Sequence, residues 1–194
     1  MKNRIKEEIL ESAKIKTDLA ESCIDDIITA SNLMLKSIIN GGKIIWCGNW
    51  GSAADAQHLS TELMGGMTKN ERKPIPSIAL TTDTSFLTAW TNDTDFETVF
   101  SRQIQGIGSK GDVLVGISTS GNSKNIIAAI KQAQFKELTT IGLTGASGGV
   151  LAGIPDVTIR VPSDKTERIQ ECHIMIGQIL CKLLENSILS WIDF

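Results

Sequence analysis

Four hydroxyl side chains lie close together in the segment 116–123, which reads Gly-Ile-Ser-Thr-Ser-Gly-Asn-Ser. The segment follows an apolar run and precedes a helical pattern over 125–134. A glycine lets the chain turn tightly, and the first turn of a helix presents unpaired N–H groups and the positive end of its dipole. A phosphoryl group fits such a turn, which has hydroxyl donors and no fixed positive charge. The hydroxyl groups belong to Ser118, Thr119, Ser120 and Ser123. An ordinary strand-to-helix loop with Ser123 as the N-cap is the local alternative.

A second polar group spans a glycine-containing turn and the helix that follows it. Asn49 and Ser52 place polar side chains beside this turn, which lacks the glycine spacing of a dinucleotide-binding loop. His58 and Glu62 are four residues apart and therefore lie on one helical face. That geometry suits two ligands of one divalent metal or an acid–base pair, and a solvated His–Glu pair is the alternative.

Further polar candidates lie outside these two groups. Asn92 and Asp93 end the segment after the second predicted strand, where a helix-terminating Asn-Asp pair is the competing interpretation. Gln170 lies in the first turns of the last predicted helix, where a polar face can look back into the same cleft. His173, on that helix, is interpreted either as a functional group or as a hydrogen-bonded interface histidine.

Length and composition narrow the class of protein. A chain of 194 residues favours a single domain by a prior of about 150 residues per domain. The formal net charge is −3 and basic residues form no block, which argues against a nucleic-acid or anionic-membrane partner. The N-terminus is charged and helical in period, unlike a signal peptide, so a cytoplasmic location is expected. The cysteines are scattered in apolar segments, and we interpret all of them as structural thiols: Cys23, Cys47, Cys172 and Cys181.

Hydrophobic periodicity predicts an α/β protein. Apolar residues recur at helical spacing from Ile5 to Ile38, which indicates one long helix or two in series, as an N-terminal extension over about 1–40. Five short apolar runs then predict strands, at 43–47, 77–80, 112–117, 139–143 and 156–161. Helical segments fill the gaps between them, at 52–64, 84–90, 96–107 and 123–134. This alternation predicts a doubly wound, five-stranded parallel sheet that is flanked by helices and binds its ligand beyond the carboxyl ends of the strands.

The last predicted helix, 167–192, is apolar around nearly its whole circumference. Such a helix must be buried. In a protein this small, burial is easier between subunits than inside one, and the long N-terminal helix also needs a partner surface. We therefore predict that the N- and C-terminal helices form an oligomer interface, in a dimer of dimers.

Five separated segments together resemble the sedoheptulose 7-phosphate isomerases, or phosphoheptose isomerases, of the sugar isomerase (SIS) family. The segments read CGNWGSAADAQHLSTEL, ALTTDTSFLTAWTND, GDVLVGISTSGNSKNI, GLTGASGGVLAG and VPSDKTERIQECHI. They cover essentially the whole chain in the family's order and spacing. The resemblance implies conversion of sedoheptulose 7-phosphate to D-glycero-D-manno-heptose 7-phosphate, which leads to heptose for lipopolysaccharide, capsule or S-layer glycans. It also implies a homotetramer with a cleft at a subunit junction that often holds zinc.

The resemblance assigns roles to particular residues. It implies that Ser118, Thr119, Ser120 and Ser123 hold the substrate phosphate. The implied sugar site comprises Asn49, Trp50, Gly51, Ser52, Asn92, Asp93 and Gln170. Glu62 would be the base that forms the enediol, and His58, Glu62 and Gln170 would be metal ligands. The family's fourth ligand, a histidine that is also a proposed proton donor, is replaced here by Gln178, which can bind a metal through oxygen but cannot titrate near neutral pH.

Two further departures bear on the pocket. Trp50 replaces a glycine of the family's Asn-Gly-Gly-Ser turn, and Gly66 stands where an arginine is common. A different sugar phosphate is therefore one alternative substrate. A non-catalytic sugar-phosphate-binding module is another alternative, like the SIS-domain relative that associates with the replication initiator DnaA, although that relative lacks the base carboxylate that Glu62 supplies here.

Overall fold

A five-stranded parallel sheet forms the centre of the protein. The computed structural model describes residues 1–67 and 72–192, without the side chains of 191 and 192. The strands are β1 (Ile44–Gly48), β2 (Ser77–Ala79), β3 (Val113–Ile117), β4 (Thr139–Thr144) and β5 (Val157–Arg160). They are ordered β2-β1-β3-β4-β5, and every neighbouring pair is parallel. The predicted doubly wound α/β class is confirmed, and each strand lies within two residues of its predicted bounds.

The helices cover both faces of this sheet. They are α1 (Lys2–Ser22), α2 (Ile24–Ile39), α3 (Gly51–Gly65), α4 (Thr84–Asp93), α5 (Val99–Ile107), α6 (Lys124–Phe135) and α7 (Thr166–Ile192), with a short 3-10 helix at Gly149–Gly153. The N-terminal periodicity belongs to two helices in series, which break at the buried Cys23. The start predicted for α5 is three residues too early, because Asp95 accepts hydrogen bonds from the amide and hydroxyl of Thr98 and holds the chain in a turn.

The side chains of the strands alternate between two apolar clusters. Trp46 and Val115 point to the face covered by α1, α2, α3 and α7, whereas Ile45 and Leu114 point to the face covered by α5 and α6. A Cβ atom at Gly116 would lie 2.9 Å from Ile126 of α6, so the glycine lets this helix pack closely on β3. The four cysteines are buried free thiols, as predicted.

The helix α7 buries only one of its sides within the chain. Ile176, Leu180 and Leu184 are fully buried, but Ile179 and Leu183 are 38% and 40% exposed. These exposed residues line an apolar groove together with α1 and α2. This groove is consistent with the predicted oligomer interface, which stays a prediction. In the part of the chain that the structure describes, no helix combines the length and the apolar character needed to cross a membrane.

Candidate active site

A cavity of about 250 Å³ lies at the carboxyl ends of β1 and β3. These strands are neighbours at the centre of the sheet, and the chain leaves β1 for α3 on one face and β3 for α6 on the other. Loops separate at such a switch point and leave a crevice. The cavity is lined by Asn49, Trp50, Ser52, Ile117, Ser118, Thr119, Ser123, Thr166 and Gln170. Seven of these nine residues are predicted site residues, whereas Ile117 and Thr166 were not predicted.

The turn after β3 is held rigidly in place. Ser118 Oγ donates a hydrogen bond to Ser123 Oγ at 2.9 Å, so these two hydroxyls are paired before any ligand binds. Gly121 has a φ of +65°, and a Cβ atom there would lie 1.9 Å from the carbonyl oxygen of Gly148. The Leu151 amide donates to the Gly121 carbonyl at 3.0 Å, which ties the turn to the loop that follows β4. The hydroxyls therefore stand in a preformed arrangement at the N-terminus of α6, as anion binding requires.

A pair of amides joins the two loops of the cavity. Asn49, after β1, and Asn125, in the first turn of α6, exchange two side-chain hydrogen bonds of 2.9 Å. Asn125 is only 4% exposed, so its amide group forms hydrogen bonds with Asn49 rather than with solvent. Sequence reasoning missed Asn125, although an asparagine at an inward position of an amphipathic helix is a signal that could have identified it.

The backbone at Trp50 adopts a conformation that favours glycine. Its φ is +54° and its ψ is −123°, and its indole is 93% exposed at the mouth of the cavity. A non-glycine residue in such a region carries strain of about 1–3 kcal/mol and persists at functional sites. The next residue, Gly51, lies under Gln170, because a Cβ atom at Gly51 would be 2.7 Å from Gln170 Nε2. The amide of Gln170 therefore closes the cavity over the start of α3.

His58 and Glu62 lie farther along α3, outside the lining of the cavity. His58 Nε2 and Glu62 Oε1 are 2.8 Å apart, and their side chains are 51% and 20% exposed. Glu62 is ten residues beyond Ser52, which places it about 15 Å farther along the helix axis. Asp55 shares their side of the helix, and burial raises the pKa of its carboxyl to about 6, against the opposing influence of His58.

Four other predicted site residues are also outside the lining of the cavity. Asn92 and Asp93 are the exposed last residues of α4, and Asn92 Nδ2 donates to Asp93 Oδ1 at 2.8 Å. Ser120 is exposed in the turn after β3, where its hydroxyl accepts from the Asn122 amide. Gln178 is half-buried on α7, next to Gly177. The predicted residues are thus brought together in part only, around the hydroxyl turn after β3.

Of the implied metal ligands, His58 and Glu62 are in contact with each other, and Gln170 lies beside Gly51 at the other end of α3. Gln170 and Gln178 are eight residues apart on α7, a separation of about 12 Å along the axis. A Cβ atom at Gly51 would meet Gln170, and one at Gly177 would meet Leu59, so α3 and α7 run side by side in the same direction. Gln170 therefore lies beside the start of α3, away from His58 and Glu62. Across residues 1–67 and 72–192, no three His, Cys, Asp or Glu side chains group closely enough to hold one ion.

Comparison with known proteins gives a consistent set of relatives. A model of the SIS domain family matches residues 9–145. The phosphoheptose isomerase of Nitratiruptor sp. is 49% identical over 187 residues, which are 96% of this chain and 100% of that protein. The one from Aquifex aeolicus is 46% identical over 188 residues, 97% of this chain and 98% of that protein.

Solved structures give the same result. The phosphoheptose isomerase of Neisseria gonorrhoeae superimposes with a TM-score of 0.89 at 42% identity, covering 95% of this chain and 98% of that chain. The one from Francisella tularensis gives a TM-score of 0.91 at 36% identity, covering 95% and 97%. The likeness therefore extends over at least 95% of this chain and of each of the two solved chains.

Proposed function

Because this chain belongs to the SIS domain family and, within it, to the phosphoheptose isomerases, we propose that Glu62 is the base of its isomerase reaction. The protein is an aldose–ketose isomerase that converts sedoheptulose 7-phosphate to D-glycero-D-manno-heptose 7-phosphate for heptose biosynthesis. The observation that carries the assignment of the site is the preformed hydroxyl turn after β3, next to a helix that bears a largely buried carboxylate.

The phosphate end of the substrate is assigned to the turn after β3. Ser118, Thr119 and Ser123 line the cavity at the N-terminus of α6, where their hydroxyls and the first amides of the helix can donate to phosphoryl oxygens. Ser120 is the outermost of the four hydroxyls and reaches the phosphate from the solvent side. The hydroxyl-bearing sugar chain then contacts the amides of Asn49 and Gln170, which line the same cavity.

Glu62 performs the proton transfer between the first two carbons of the sugar. Its carboxylate removes a proton from C1 of the ketose, and the electrons of the broken C–H bond form the C1=C2 bond of an enediol while the C2 carbonyl oxygen takes a proton from solvent water, which receives a proton back from the C1 hydroxyl in the second half of the reaction. The proton then returns from Glu62 to C2, and the C1 hydroxyl loses its proton to become the aldehyde. Among the described residues, the hydrogen-bond partner of the Glu62 carboxylate is His58, whose ring orients the base.

The zinc ion that the family resemblance implies does not fit the residues of a single chain. Its ligands would be His58, Glu62, Gln170 and Gln178, and of these His58 and Glu62 form the pair that is in hydrogen-bond contact. The set also offers one imidazole and one carboxylate, whereas zinc sites are built from Cys, His and acidic side chains rather than amides. We therefore assign no step of the reaction to a metal.

A homotetramer is the assembly we propose for the active protein. Two observations support it. Glu62 lies outside the cavity, and the exposed side chain of Trp50 lies at its mouth. A neighbouring subunit could therefore complete the space between the turn after β3 and the proposed base. The apolar groove formed by α1, α2 and α7 offers a surface for such a neighbour.

A proton NMR time course in deuterated buffer tests the proposed function. Sedoheptulose 7-phosphate is incubated with the purified protein, with and without added zinc. We expect heptose 7-phosphate that carries deuterium at C2, because the proton held by Glu62 exchanges with solvent. An unchanged spectrum under both conditions would refute the isomerase assignment and favour a sugar-phosphate-binding module.

Two variants separate the base from the fold. The substitution Glu62→Gln keeps the shape of the side chain and removes its basicity, so we expect turnover to fall by a factor of about 10²–10⁴ with the melting temperature preserved. Glu137→Gln is the matched control, since Glu137 is an exposed carboxylate paired with Lys110 at the other end of the sheet. If both variants turned over substrate at the wild-type rate, Glu62 would not be the base.

A further inference from the structure

A buried ion pair lies behind the C-terminal end of α3. Arg72 Nε donates to Glu185 Oε1 of α7 at 2.5 Å, and both side chains are only 1% exposed. Removing two such charges from water is costly, and a buried pair is often replaceable by apolar residues without loss of stability. The pair is therefore poorly explained as a simple contribution to the stability of the fold.

The same guanidinium group also binds the residue that we assign as the base. Arg72 Nη2 donates to the backbone carbonyl oxygen of Glu62 at 2.9 Å, and that oxygen also accepts the amide of Gly66 at 3.0 Å. Arg72 Nη1 donates to the carbonyl of Lys73 at 3.0 Å. One planar cation thus uses all three of its nitrogens, and it does so at the negative end of the α3 dipole.

The connection runs from α7 to Glu62 through short, buried contacts. Cys181 of α7 lies 3.7 Å from the Leu59 carbonyl of α3, and burial raises the pKa of its thiol to about 12, with Glu62 and Glu185 acting in the same direction and Arg72 against it. The last turns of α3 are consequently packed against the segment of α7 that carries Glu185. Arg72 links this segment to the one backbone carbonyl that belongs to the proposed base.

We infer that Arg72, held by Glu185, is a positioning residue that fixes the last turn of α3 and with it the carboxylate of Glu62. This inference rests on the proposed role of Glu62 as the base. Arg72 does not touch the cavity and acts only through the backbone of Glu62. Its loss lets the helix end loosen, and a displacement of about 1 Å at a catalytic group can cost about 10²-fold in rate.

The test compares single and double variants. Arg72→Met removes the donor to Glu62 but strands the Glu185 charge, so it is expected to be unstable. The double variant Arg72→Met with Glu185→Leu removes both charges and is expected to regain a melting temperature close to that of the wild type. Its kcat is expected to fall at least tenfold while KM stays within about twofold, because substrate binding at the turn after β3 is untouched.

The conservative substitution and a remote ion pair serve as controls. Arg72→Lys keeps the charge but offers a single ammonium, which cannot bridge Glu185 and the Glu62 carbonyl as a planar fork does, so kcat is expected to stay low. Lys43→Met breaks the pair that Lys43 Nζ forms with Asp112 at 2.6 Å, at the amino ends of the strands. This variant is expected to lose stability and keep kcat.

A second readout does not depend on turnover. The chain has only two histidines, and His58 Nε2 lies 2.8 Å from the Glu62 carboxylate, so the ring ¹⁵N chemical shifts of His58 report where that carboxylate is. The Glu62→Gln variant identifies the signals and gives the shift without the carboxylate. We expect the His58 ¹⁵N shifts of the double variant to move from the wild-type values toward those of Glu62→Gln.

These measurements distinguish a failure of the role inferred for Arg72 from a failure of the role proposed for Glu62. Wild-type kcat in the folded double variant, or a change confined to KM, would overturn the inference and leave the pair as a purely structural feature. If Glu62→Gln itself retains full turnover, the assignment of the base fails, and the ¹⁵N shifts alone then decide whether Arg72 holds Glu62. Shifts that coincide with those of the wild type would in that case overturn the inference as well.

Discussion

Acidification should destabilise this protein through His173, a residue with no assigned part in the chemistry. His173 is fully buried, and its Nε2 lies 3.2 Å from the Thr144 carbonyl oxygen, so this nitrogen carries the proton of the neutral ring. Its Nδ1 is buried and has no hydrogen-bond partner among the described residues. Protonation would place an unpaired N–H and a charge in an apolar environment, and burial accordingly lowers the pKa of His173 to about 4.

The sign and size of the effect follow from proton linkage. Above pH 6.5 the ring is neutral in both states and contributes nothing. Below it the unfolded chain binds the proton first, so the free energy of unfolding falls as the pH falls toward 4. The difference between 6.5 and about 4 amounts to about 3.4 kcal/mol in total, at about 1.36 kcal/mol per pKa unit. At pH 5 the loss reaches about 2 kcal/mol.

Asp55 changes the free energy of unfolding in the opposite direction, so its contribution must be measured separately from that of His173. Burial raises the pKa of its carboxyl from 3.8 to about 6, so the folded state binds this proton first and gains stability as the pH falls through that window. The carboxyl is partly exposed, which reduces the gain to about 1 kcal/mol after allowance for screening by solvent. The pH dependence of the wild type therefore contains two compensating contributions.

Urea unfolding at pH 7.5 and at pH 5 measures the two contributions, followed by tryptophan fluorescence at one fixed protein concentration. Between pH 7.5 and pH 5, we expect the free energy of unfolding of His173→Gln to improve by about 2 kcal/mol relative to that of the wild type. The reason is that the variant has no imidazole to bind the proton. Asp55→Asn should shift by a smaller amount in the other direction. A difference for His173→Gln that is the same at both pH values would refute the reasoning.

Three further substitutions have defined outcomes. Gly121→Ala should abolish the rise in melting temperature that a sugar phosphate produces, because the new Cβ atom would lie 1.9 Å from the Gly148 carbonyl; an unchanged rise would show that this turn does not bind the phosphate. Trp50→Gly should raise the free energy of unfolding by about 1 kcal/mol by relieving a left-handed φ of +54°, and a loss in urea unfolding would contradict the strain. Gln178→His should strengthen zinc binding at least tenfold by calorimetry, since an imidazole replaces an amide, and equal affinities would place position 178 outside any metal site.

The local patterns of the chain were sufficient for the fold and for the hydroxyl-rich turn after β3. The period of two in the strands and of about 3.6 in the helices follows from backbone sterics and from which side chains are buried, so it can be read within a dozen residues. The same is true of the turn at Ser118 to Ser123, because a glycine with positive φ and the start of α6 lie next to each other in the chain. The strand order β2-β1-β3-β4-β5 agrees with the expected doubly wound class.

Contacts between distant segments could not be read from spacing and were decided only by the tertiary structure. Asn49 and Asn125 are 76 residues apart, and Arg72 and Glu185 are 113 apart, yet each pair is in direct hydrogen-bond contact. Their pairing depends on how α3, α6 and α7 pack on the sheet, and periodicity carries no information about that. The sequence by itself therefore determined which elements form and which turn is suited to a phosphate, whereas only the packing of distant helices determined which polar groups are buried together and hold Glu62.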